Sequence, residues 1–248
     1  MSAAKNTTLP KSEPITRLRL FKRFTLAQRW EHTLLMISTS MLLLTGLPQK
    51  YQLTAWSQAI LSTPERANLL RQIHLIAAVV LTLEVIYHLG HAIYLMFRRR
   101  LPGAMLPSMQ DIRDAWQMIK YLLFITKEKP AFGRYNFEQK VTYWFLFFGI
   151  GIMVASGFIQ WFPELFTRWL PGAIVPAAKL AHSTEAIVAA IFVVLWHVYH
   201  VHIERLNISI FTGYLNEKDM RTYHEKEYQR LSRSPKTMHN PAKSGEKR

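Results

Sequence analysis

Four long apolar runs dominate the chain, at about residues 29–47, 73–97, 141–162 and 181–202. A helix needs about 20 mainly apolar residues to cross a hydrocarbon core of about 30 Å, so each run predicts a membrane-spanning helix. The first stops at Gly46-Leu47-Pro48 and is followed by a short loop with an interfacial segment around Trp56 to Leu61. The second ends before Arg98-Arg99-Arg100. Residues 101–140 form a polar connection in which Met109 to Ile125 sets apolar residues at helical spacing beside charges, the pattern of an amphipathic helix lying on the membrane surface. A loop carrying Pro163, Pro171 and Pro176 joins the third run to the fourth. Gly149, Gly151 and Gly157 in the third run permit close approach of neighbouring helices. The expected fold is all-α: an integral membrane four-helix bundle (29–215) between an N-terminal tail (1–28) and a charged C-terminal tail (216–248). That second tail is expected to be helical in part, with its last dozen residues disordered.

Charge gives the orientation. Lys and Arg number seven in residues 1–29, nine in 98–140 and ten in 203–248, against three and two in the other two loops. The positive-inside rule then puts both termini and the long middle loop in the cytoplasm of a bacterial inner membrane. The net charge of +15 is accounted for by this distribution, so no nucleic-acid partner is expected. The chain has no Cys, which excludes disulfides, Cys-ligated iron–sulfur clusters and covalent haem attachment through Cys-x-x-Cys-His. No signal peptide is expected, because the first 25 residues are polar and basic.

The candidate chemistry lies in the histidines. His182 and His197 stand fifteen residues apart on the fourth run, roughly 22 Å along a helix and about 60° apart around it. With the orientation above, His74 and His182 fall near the outer face. His197 falls near the inner face, together with His32 and His88. An outer pair and an inner set at matched depth suit two stacked haems b, each needing two axial imidazoles and an apolar slot between helices. Imidazole also suits zinc or copper, but Cys is absent and few acids lie at matched depth. The inner pair is His197 with either His32 or His88. His91, His200 and His202 read as interfacial residues or propionate partners. Arg71, three residues before His74, is a candidate for an outer haem propionate. Glu84, inside the second run, must be paired, protonated or turned to the bundle interior.

Several pieces in order, over residues 20–230, resemble a known family: Arg29-x-x-His32 with Thr45-Gly46, Arg71-x-x-His74, Gly133 to Lys140 (GRYNFEQK), Ser156 to Trp161 (SGFIQW), His182, His197 to Tyr199 (HVY) and Phe211 to Gly213 (FTG). The chain resembles the gamma subunit of respiratory formate dehydrogenase, a dihaem cytochrome b, and the related cytochrome b subunits of hydrogenases and thiosulfate reductases. The resemblance implies His74 with His182 on the outer haem, His32 with His197 on the inner one, and quinone reduction beside the inner haem with Asn136 as a contact. From the residues alone, Asn136 reads equally as the N-cap of the third helix. The fifteen-residue spacing on the fourth helix is one longer than this family leads one to expect, which requires a one-residue bulge or a shifted ligand.

The expected function is a membrane-anchoring electron wire between an outer redox partner and menaquinone or ubiquinone near the cytoplasmic face. The partners would be an iron–sulfur or multihaem c-type subunit and a catalytic oxidoreductase subunit, with membrane lipid around the bundle. The sequence holds no site for the primary substrate. The competing readings are a haem-free transporter of metal ions or protons, using Glu84 and the histidines, and a structural anchor whose histidines are incidental.

Overall fold

The computed structural model of the chain describes residues 19–98, 103–203, 206–233 and 238–239. Most of the expected N-terminal tail, the stop at Arg99-Arg100 and the expected disorder of the last dozen residues lie outside the described residues. The described chain is nearly all helix, as the apolar pattern predicts.

Helix α1 (Leu26–Lys50) starts at a capping box: the Thr25 side chain accepts from the Gln28 amide, and the Gln28 side chain accepts from the Thr25 amide. Helix α2 (Ala55–Ile60) is fastened beneath the end of α1 by the buried Ser57, whose hydroxyl donates to the Pro48 carbonyl at 2.5 Å. Helix α3 (Pro64–Phe97) begins nine residues before the apolar run. Thr63 caps it and Pro64 takes its first position, both good start signals. Apolarity marks the part of a helix that membrane can accept, whereas caps mark where the helix begins.

Among the described residues, three helices are long and apolar enough to cross a membrane: Pro64–Phe97, α5 (Phe137–Trp161) and the continuous stretch Ile174–Ile203. A short helix, α6 (Pro163–Thr167), precedes the last, which is α7 (Ile174–Phe192) running on as a π-helix over Val193–Ile203. Helix α1 matches α5 in length at 25 residues but carries more polar side chains. Thr33, Thr39 and Thr45 each donate to the carbonyl four residues back, which satisfies their hydroxyls inside the helix. The long helices pack as two pairs, α1 along α3 and α5 along α7. Their outward faces expose large apolar side chains such as Leu44, Leu83, Ile86, Phe148 and Leu195.

The connection after α3 folds as expected. A 3₁₀ turn (Gly103–Met105) precedes α4 (Met109–Leu122), which opens with a Ser108–Asp111 capping box. Lys140 at the start of α5 pairs with Asp111 at 2.8 Å and donates to the Leu106 carbonyl, and the Trp144 indole donates to the Met105 carbonyl. Asp114 and Met118 face inward, while Met109, Ile112, Trp116, Ile119 and Leu123 form an exposed apolar stripe. Burial alone would raise the Asp111 carboxyl, but hydrogen bonds from Lys140 and Ser108 and the Lys140 charge hold it below its ordinary value. A carboxylate depressed in the folded state stabilises above its unfolded pKa of about 4 and loses that contribution as pH falls through the lower folded value. Lys140→Met is therefore expected to loosen α4 by about 1–3 kcal/mol at neutral pH. The parent chain is expected to show an acid-dependent rise in protease cleavage of residues 103–125, and the variant to lack it.

A small cap closes one end of the helices. Strand β1 (Leu20–Lys22) pairs antiparallel with β2 (Tyr214–Asn216) and β3 (Met238–His239), in the order β2-β1-β3, with Phe21 opposite Leu215. Between α7 and β2 lies one turn of helix, α8 (Ser209–Thr212), ended by Gly213 at φ +85°. Two further helices, α9 (Glu217–Tyr223) and α10 (Glu225–Ser232), lay Met220, Tyr228 and Leu231 on Phe21 and Leu215. His224, 1% exposed, donates through Nδ1 to the Gly133 carbonyl at 3.0 Å. Arg134 donates to the Arg23 carbonyl, and the Lys226 amide donates to the Phe132 carbonyl. The segments expected as separate tails thus meet each other and the loop before α5.

Candidate haem-binding helix pairs

Two pairs of imidazoles bridge the two helix pairs. Near the open end, His74 on α3 faces His182 on α7 with ring centroids 6.4 Å apart. Near the capped end, His32 on α1 faces His197 in the π segment at 6.1 Å. A metal bound between two imidazoles, with bonds of about 2.0–2.1 Å, separates the ring centres by about 6.2 Å. Both pairs have that spacing. Two protein nitrogens fill a coordination shell only for a group that brings its own remaining donors, and haem b does so with its four ring nitrogens. Among the described residues, no three His, Asp or Glu side chains gather as a metal site.

The α7 helix turns into the π form just before His197. A π-helix bonds i to i+5, so it turns less per residue than an α-helix and takes up an added residue without ending the helix. His197 lies within this π segment and faces His32.

At the open end each ring lies in a notch of the neighbouring helix. The His74 Nδ1 is 2.9 Å from the Thr45 hydroxyl, and a Cβ on Gly46 would lie 3.2 Å from His74 Cε1. The His182 Nδ1 is 3.1 Å from both the Ser156 hydroxyl and the Met153 carbonyl, and a Cβ on Gly157 would lie 3.3 Å from His182 Cε1. Gly149 likewise makes room for the carboxylate of Glu185. At the capped end, Phe211 packs edge-on against His32 at 6.3 Å, while His32 Nδ1 and Arg29 Nε are buried without a hydrogen-bond partner.

The remaining candidates are placed as follows. His88 is engaged at both nitrogens, by Glu31 at 2.9 Å and the Tyr143 hydroxyl at 3.1 Å, with Glu84 close by and buried. His91 lies 4.0 Å from Glu31, His200 bonds the Trp196 carbonyl, and His202 stacks on Phe211. Arg71 is exposed, one turn before His74. Asn136 is 4% exposed and caps α5: its Oδ1 accepts from the Gln139 amide at 2.8 Å and its Nδ2 donates to Glu138. The GRYNFEQK stretch therefore caps α5, accepts from His224, binds the Arg23 carbonyl and anchors α4 through Lys140. Reasoning from the sequence quoted Thr45, Ser156 and Arg29 only as pieces of a resemblance, gave them no role, and did not single out Glu185. A hydroxyl followed by glycine, present on both α1 and α5, is the signal that would have found the first two.

Residues 104–213 match the prokaryotic cytochrome b561 family. The formate dehydrogenase cytochrome b556 subunit of Haemophilus influenzae is 26% identical over 206 residues, covering 81% of this chain and 79% of that protein. The cytochrome b556(fdo) subunit of Escherichia coli K12 formate dehydrogenase is 27% identical over 180 residues, covering 71% and 76%. The nitrate-inducible cytochrome b556(Fdn) subunit of the same strain is 22% identical over 227 residues, covering 91% and 95%. With its apolar helices long enough to span a membrane, the chain's similarity to the prokaryotic cytochrome b561 family over residues 104–213, and to the cytochrome b subunits of formate dehydrogenases over most of its length, supports a membrane cytochrome b electron-transfer role.

Proposed function

We propose that this chain is a dihaem cytochrome b subunit that carries electrons across the bacterial cytoplasmic membrane between an outer redox partner and a quinone on the inner side. The observation that carries the reading is the two imidazole pairs, each at metal-bridging spacing, set near opposite ends of paired apolar helices. Helix α1 is the fourth crossing, and the basic capped end is cytoplasmic, giving an N-in, C-in four-helix bundle with α4 on the membrane surface. His74 and His182 hold the outer haem. His32 and His197 hold the inner one in preference to His88, whose nitrogens Glu31 and Tyr143 engage. Haem b supplies reversible one-electron chemistry at each site. Arg71 sits one turn outward of His74, and Arg29 one turn from His32 with a buried Nε lacking a partner; each suits a haem propionate. Menaquinone or ubiquinone reacts beside the capped-end pair, with the loop ending at Asn136 forming part of that site. The relatives' names support a catalytic oxidoreductase partner, reached through an iron–sulfur or c-type haem subunit.

A pyridine haemochrome assay on the purified full chain, expressed with ample haem, is expected to give two haems b per chain. A colourless protein would overturn the reading and favour a metal-ion or proton transporter built on Glu84.

A further inference from the structure

The open-end site is built twice from one short pattern. Thr45-Gly46-x-x-Gln49 lies on α1 and Ser156-Gly157-x-x-Gln160 on α5. In each, the glutamine side chain donates to the carbonyl of the hydroxyl residue, at 2.9 Å for Gln49 and 3.1 Å for Gln160. The glycine in each admits a histidine edge from the partner helix, and the hydroxyl meets that histidine's Nδ1. In each pair the histidine-bearing helix has a basic residue three positions earlier, Arg71 or Lys179.

The direction of these hydrogen bonds follows from counting hydrogens. A hydroxyl has one proton to give. Thr45 gives its proton to the Met41 carbonyl at 2.6 Å, and Ser156 gives its own to the Ile152 carbonyl at 2.6 Å. What each hydroxyl offers the imidazole is therefore a lone pair, and the histidine must donate. The Met153 carbonyl, which accepts only, imposes the same direction on His182. We infer that Thr45 and Ser156 are positioning residues for the outer haem, each fixing its histidine as the Nδ1–H tautomer and leaving Nε2 as the nitrogen for iron. The assignment rests on the haem reading above. A donor hydrogen bond at Nδ1 raises the basicity of the ligating nitrogen, which favours ferric iron and lowers the potential. The capped-end pair is built differently, since His32 Nδ1 has no partner. The influence of the two hydroxyls therefore falls on one haem.

The test uses the full chain with Thr45→Val, Ser156→Ala, the double variant and the conservative Thr45→Ser. Haem content, a potentiometric titration resolving the two haems, and the low-temperature EPR spectrum of the ferric haems are measured on each. The expected result is an upward shift in the midpoint potential of one haem in each single variant, larger in the double variant, with the other haem unmoved and Thr45→Ser close to the parent. Loss of the outer haem from Thr45→Val but not from Thr45→Ser supports the assignment equally. Unshifted potentials in a double variant retaining both haems would overturn it while leaving the dihaem reading intact. So would equal damage from Thr45→Val and Thr45→Ser, which would make the role one of packing. A parent chain without haem overturns both.

Discussion

His32→Ala is expected to leave one haem b per chain, and His88→Ala to leave two. In the structure His32 stands opposite His197 at bridging distance, whereas both nitrogens of His88 are taken by Glu31 and Tyr143. On the proposed ligation, removing the His32 imidazole would take away one of the two protein nitrogens that hold that haem and leave a gap opposite His197. Removing the His88 ring takes away two hydrogen bonds and leaves the Glu31 carboxylate short of a donor, at a cost of about 1–3 kcal/mol in stability. The two variants should separate in a haemochrome assay and in electron transfer to quinone, which His32→Ala should abolish and His88→Ala should weaken. One haem lost in His88→Ala with two retained in His32→Ala would move the inner ligand to α3.

Gly46→Val and Gly157→Val are expected to displace the outer haem while sparing the inner one. A single Cβ at either glycine already falls 3.2–3.3 Å from an imidazole carbon, so Ala requires the ring to give by a few tenths of an ångström. Val adds two further carbons beyond that Cβ, and overpacking of this kind costs about 1–3 kcal/mol when the surroundings can move at all. On the proposed assignment the ring that must move is also a haem ligand. The expected readout is a single remaining haem b in each Val variant, against two in each Ala variant with a shifted outer potential. Two haems at parental potentials in Gly157→Val would show that the notch does not constrain His182.

The long helices and the depth of the histidines were legible because both depend on local pattern. Apolar runs report membrane exposure, and His74, His182, His32 and His197 fall near helix ends that the charge counts orient. The fifteen-residue spacing on the fourth helix read as requiring a one-residue bulge or a shifted ligand, and the helix takes the π form over Val193–Ile203. The contacts that bear on the choice between His32 and His88 were not legible, because Glu31 and Tyr143, which engage His88, lie on different helices. Thr45 and Ser156 were passed over because a hydroxyl in a membrane helix is usually satisfied by its own backbone. These two are so satisfied, and they use the remaining lone pair on a neighbour. The cap was invisible because Leu20–Lys22 and Tyr214–Asn216 are too short to show alternation, and their pairing is decided by residues at the two ends of the chain.

That pairing also fixes an order of assembly. Strand β1 is completed by β2 and β3, which follow it in the chain with every long helix between them. Contacts that close so long a loop form late. Until they form, His32 lacks the Phe211 ring and the chain near Arg29 lacks Gly213. The capped-end histidine pair therefore stays accessible longest, whereas the open-end pair is complete once the long helices have packed. On the proposed dihaem reading, cofactor loading would be staged by this geometry, with the inner site sealed when the segment from Phe211 onward folds over it.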